Sequence, residues 1–232
     1  MTQSSDTNVA NTVRIISSGC RLGPVVELEP TRFGDVPFPS NSPWTAEQSA
    51  AYWTACLRLG GIDLVPIQLG SWHVSLDAIV ASKHLEQILG VLLGDGVPSD
   101  VDEIGPLSGG FALVDQGEVL IEPTCCGDLS NLESWRTAAR QRAESAEMIW
   151  IGHPWLSAKY RSPLVYINEE EEYRSAKLLR TFAVDPTSLT SAIVTAEAHL
   201  EAARDAVTLG VRNLVGDLDP RAVASLLLGD SR

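Results

Sequence analysis

The chain has 232 residues, 44% hydrophobic and 20% charged, proportions that suit a folded domain and exclude an intrinsically disordered one. Seventeen basic against 30 acidic residues give a formal charge of −13, so the surface repels nucleic acid and anionic lipid and attracts cationic proteins. No stretch offers the ~18 consecutive apolar residues of a membrane helix, which leaves a soluble protein.

Residues 1–12 are polar, without the basic start and apolar run of a signal peptide, and read as a disordered tail of a cytoplasmic protein. Val13 to Glu29 suggests one or two short strands broken at Gly19 and Gly23. The prolines between Pro30 and Pro43 mark a loop. Thr45 and Gln48 then form a capping box that opens a helix, with Ala46, Ala50, Trp53 and Leu57 on one face and Gly60-Gly61 at its end. Ile62 to Leu69 and Trp72 to Leu76 read as a hairpin turning at Gly70-Ser71, with Pro66 placing the first strand at an edge. A helix is expected over Asp77 to Leu93, stopped by Gly94-Asp95-Gly96.

The clearest hairpin joins Phe111–Asp115 to Glu118–Glu122 through Gln116-Gly117. Alternation puts Phe111, Leu113 and Asp115 on one face. A helix follows over Leu129 to Ala146, capped by Ser130 or Asn131, with strands at Met148–Ile151 and Leu164–Ile167 and a loop from Gly152 to Pro163 between them. Asp185-Pro186 opens a long helix whose Leu189, Ile193, Ala196, Leu200, Ala203 and Val207 form a narrow apolar seam, suited to packing on the core or to a weak homodimer. Asp219-Pro220 starts a last short helix. The fold class is α+β: a mostly antiparallel sheet packed against helices over 13–183, with C-terminal helices over 184–232.

Two groups of residues could carry function. The window His84 to Trp135 holds ten carboxylates and no Lys or Arg. Asp100, Asp102, Glu103, Asp115, Glu118 and Glu122 could form a negative face that steers a basic protein, with Trp155 and Tyr160 as short-range anchors. The acids Glu169 to Glu172 would extend that face or begin a helix. The other group is Cys125, Cys126, Asp128 and His153. A thiol- or metal-dependent enzyme could use Cys126 as nucleophile or ligand, His153 as base and Asp128 to orient it. Against that, adjacent cysteines in an extended chain point in opposite directions, and zinc sites usually space their paired cysteines by two to four residues. Cys20 and Cys56 complete a cysteine set that suits a reducing compartment. His73, His84 and His199 stand alone. No phosphate-binding glycine loop, nucleophile elbow, zinc-protease helix or EF-hand loop is present, and no cofactor or bound metal is expected.

The pair Gly109-Gly110, the strand and turn through Leu113, Val119, Leu120 and Pro123, and the helix start Leu129-x-x-Leu132-x-x-Trp135 resemble the SUKH superfamily of bacterial immunity proteins. The resemblance implies an α+β inhibitor that binds and neutralises a toxin domain, without catalytic residues of its own. The sequence thus points to an acidic protein-binding module, and the resemblance to one of the immunity type, neutralising a basic toxin domain. The thiol or metal enzyme is the alternative.

Overall fold

The computed structural model describes residues 13–40, 42–94, 98, 100–170 and 179–230. The expected tail, the Asp95-Gly96 stop, and Glu171 and Glu172 of the acidic run lie outside them. In chain order the elements are strands β1 (Val13–Ile15) and β2 (Arg21–Glu27), helix α1 (Ala46–Leu59), strand β3 (His73–Ser75) and helices α2 (Leu76–Val80) and α3 (Leu85–Leu93). Then come the hairpin β4 (Gly109–Asp115) and β5 (Glu118–Ile121), helix α4 (Leu132–Arg140), and strands β6 (Glu147–Ile149), β7 (Leu156–Arg161), β8 (Leu164–Glu169) and β9 (Thr181–Val184). Helices α5 (Pro186–Val211) and α6 (Pro220–Leu227) close the chain.

The strands make two sheets. One, in the order β3-β2-β4-β5, is antiparallel throughout. The other runs β1-β9-β8-β7-β6 and is antiparallel except where β1 meets β9. An α+β fold with mostly antiparallel sheets and C-terminal helices is therefore what the chain forms.

Local chemistry explains most element boundaries. The Thr45 hydroxyl accepts from the Gln48 amide at 3.2 Å while the Gln48 side chain accepts from the Thr45 amide at 2.9 Å, so the capping box forms as read. In the β4–β5 hairpin, Gln116 and Gly117 both take positive φ, 51° and 85°, and their turn twist matches the flanking strands. Asp185 caps α5 by accepting from the Ser188 amide at 2.8 Å, with Pro186 fitting the first turn.

Other expectations are corrected. Ile62 to Leu69 forms no strand; Pro66 has no N–H to give a ladder, and a single Ile67-to-His73 backbone bond of 2.9 Å remains. His73–Ser75 pairs instead with β2. The helix expected over 77–93 is two, because the Ser82 hydroxyl accepts from the His84 amide at 3.0 Å and turns the chain between them. Helix α4 stops at Arg140, not Ala146: the Gln141 side-chain oxygen accepts from the Arg142 and Ala143 amides, both at 2.8 Å. The loop expected over 152–163 contains β7, whose sequence LSAKYR has no β-branched residue and is held extended by β6 and β8 on either side.

Helix α5 packs along β2 and against α2, α3, α4 and α6. Leu189, Ile193, Ala196, Ala203 and Val207 are buried in the chain's own core, so the apolar seam is spent within the molecule. Of these, Leu189, Ile193 and Val207 each contribute on the order of 1.5–3 kcal/mol by leaving water. Among the described residues no helix is long and apolar enough to cross a membrane.

Candidate functional site

After β5 the chain makes the turn Cys125-Cys126-Gly127-Asp128 and meets the loop between β6 and β7. The Thr124 amide donates to the His153 carbonyl at 2.7 Å, and the His153 amide donates to the Cys125 carbonyl at 2.9 Å. These bonds tie the end of one sheet to the end of the other. The segments meet backbone on backbone. A Cβ at Gly127 would lie 2.4 Å from the Ile151 carbonyl oxygen, and one at Gly152 2.2 Å from that of Cys125. Only glycine fits at either position.

Cys126 has φ 60°, left-handed backbone that costs a non-glycine residue roughly 1–2 kcal/mol. The expectation that the two thiols point apart assumed extended backbone and is overturned here. Cys125 Sγ lies 3.0 Å from His153 Nδ1, and one ligand atom from each of Cys125, Cys126 and His153 falls within 4.8 Å of the others. Both cysteines are exposed and the histidine is half-buried. The imidazole sits between two tryptophans, 6.4 Å from the ring of Trp150 and stacked 6.1 Å from that of Trp155.

Asp128 does not orient His153. Its carboxylate accepts from the Ser130 amide at 2.8 Å and caps the short 3-10 turn Leu129–Asn131. The sequence reading set Cys126 beside His153, whereas it is the Cys125 sulfur that lies at 3.0 Å from the imidazole. The signal for Cys125 was weak, because a single backbone dihedral decides which sulfur faces the ring.

The acidic residues separate. Asp115 is buried at 2% exposure and accepts a hydrogen bond from the Ser17 hydroxyl, so it is no part of a surface. Glu118 is exposed but ion-paired with Arg14 at 2.8 Å. Glu122 accepts from Ser71 and Gln68 and pairs with His73 Nδ1 at 2.9 Å. The expectation of an open negative face on this hairpin is thus corrected. Asp100, Asp102 and Glu103 are exposed, on a separate 3-10 turn where Asp100 accepts from the Asp102 amide at 3.0 Å. Of the acidic run, Glu169 is buried and bonded to Arg180. Trp155 is exposed as expected, whereas Tyr160 is half-buried, its ring 5.6 Å from the Arg142 guanidinium carbon, and is corrected as an anchor.

Sequence reading also missed the partners of two histidines. His199 lies 2.8 Å from Asp77. His73, Glu122, Gln68 and Ser71 line a cleft of about 410 Å³ with Trp44, Trp72 and Glu27. Burial pushes the Glu27 carboxyl above its ordinary value, partly offset by His73. His73 Nε2 is buried without a hydrogen-bond partner among the described residues. Its residue is 49 positions from Glu122 in sequence, and the two meet only in the folded chain.

No family model, curated protein or solved structure matches this chain.

Proposed function

We propose that the protein is a binding module that takes a basic polypeptide on the edge formed by β6 and the turn that follows it. The observation that supports this reading is a cluster of exposed apolar side chains there: Met148, Trp150 and Trp155, exposed by 59, 51 and 36%. Met148 and Trp150 are two residues apart in extended chain and so share a face. Trp155 precedes β7, which pairs Leu156 with Ile149, and therefore lies across from Trp150.

Strand β6 is an edge, paired with β7 on one side and with no other strand among the described residues. Edge strands carrying large apolar groups are normally covered or charged, because they template association. Tryptophans in such a place are strong anchors for a partner. The overall charge of −13 favours a cationic partner. The resemblance of the hairpin to SUKH immunity proteins supports reading that partner as a toxin domain and the protein as its immunity factor.

Basic proteins encoded beside this chain are the partners to test by interferometry. Replacing Trp150 and Trp155 together by alanine is expected to weaken binding about tenfold or more, mainly through faster dissociation. Raising salt from about 50 to about 300 mM should slow association. Binding indifferent to both changes, or no binding by any of those proteins, would overturn the reading.

A further inference from the structure

We propose that Cys125, Cys126 and His153 form a binding site for a zinc-class metal ion, with one coordination position facing solvent. This inference does not rest on the β6 docking surface.

Two thiols and an imidazole are the donor set that zinc and other soft or borderline ions select. Calcium and magnesium require oxygen ligands, and Asp128, the nearest carboxylate in sequence, is engaged by the Ser130 amide. Two thiolates also neutralise a divalent ion, so the loaded site leaves no uncompensated charge. A tetrahedral zinc places its sulfur and nitrogen ligands about 3.5–3.8 Å from one another. The three ligand atoms already lie within 4.8 Å, with Cys125 Sγ and His153 Nδ1 at 3.0 Å, so side-chain rotation is enough to reach that geometry.

The backbone is built to keep them there. Two inter-segment hydrogen bonds fix Cys125 opposite His153. The contacts at Gly127 and Gly152 leave no room for the segments to slide. Cys126 is left-handed, and its thiol lies within 4.8 Å of the other two ligand atoms rather than pointing away from them. Cysteines that serve only as core residues are buried, as Cys20 and Cys56 are; Cys125 and Cys126 are exposed. That exposure leaves the fourth position open to water or to an incoming side chain.

The test is zinc titration of the reduced full-length protein against a chromophoric chelator. One zinc per chain is expected. Cys125→Ser and Cys126→Ser should each weaken binding about 100-fold or more, and His153→Ala at least about tenfold. Cys20→Ala should bind as wild type. Cobalt in place of zinc should give a thiolate charge-transfer band that the double variant Cys125→Ser/Cys126→Ser lacks. Since the variants could unfold, alkylation of the wild-type protein with and without zinc provides a second readout: zinc should shield Cys125 and Cys126. Failure to hold zinc against the chelator, shielding of Cys20 or Cys56 instead, or wild-type affinity in the double variant would each overturn the proposal.

Discussion

At Glu122 two forces oppose each other. Burial pushes its carboxyl up, but hydrogen bonds from His73, Ser71 and Gln68 outweigh that and hold it below the ordinary value of 4.5. A carboxyl whose folded pKa lies below its unfolded one stabilises the fold fully above the unfolded value and loses that contribution as pH falls through the folded one. Glu122→Gln should therefore cost about 1–3 kcal/mol at neutral pH and flatten the loss of stability below about pH 4.5, measured by urea unfolding across pH. Asp115 was more legible than the count of charges suggested: alternation had already placed it with Phe111 and Leu113, both fully buried. Counting carboxylates along the chain ignored which face each one occupies. Cys125 was not legible in the same way, because the imidazole it meets arrives on a loop more than 20 residues away in sequence.

Among the elements, those written in local chemistry came through the sequence and those made by neighbours did not. The β4–β5 hairpin follows from Gln116-Gly117, and α1, α5 and α6 from their capping residues. Strand β7 exists because β6 and β8 flank it, which no feature of Leu156–Arg161 announces. The α5 seam illustrates an ambiguity of periodicity: the same spacing serves a second copy or the chain's own sheet, and the burial of Leu189, Ile193 and Val207 assigns those residues to the latter. Leu189→Ala should consequently destabilise the fold by about 2–5 kcal/mol through transfer and cavity terms, read from the midpoint of chemical denaturation. A much smaller loss would mean that α5 contributes less to the core than its burial indicates.

For the whole molecule, 30 acids against 17 bases leave a surplus of negative charge that the surface ion pairs do not remove. Pairs such as Arg136 with Glu133 and Glu197, or Arg140 with Glu133, gather basic side chains on particular helices. Exposed pairs of this kind add little stability each. Self-repulsion should then make the fold more stable in salt. Raising sodium chloride from about 20 to about 200 mM is expected to raise Tm, and an unchanged or lower Tm would show that local pairs outweigh the global field. Fold class was legible at this scale because it rests on element types and their order. The acidic docking face was not, since charge is a property of the chain but its distribution is a property of the fold.

The backbone clasp between Thr124-Cys125 and His153 has a mechanical corollary. Cysteine and histidine reach their meeting point from opposite sheets, so the sulfur-to-imidazole gap works as a gauge of how firmly those halves are seated on each other. Prying the halves apart at this point has to break those two backbone bonds and widen that gap.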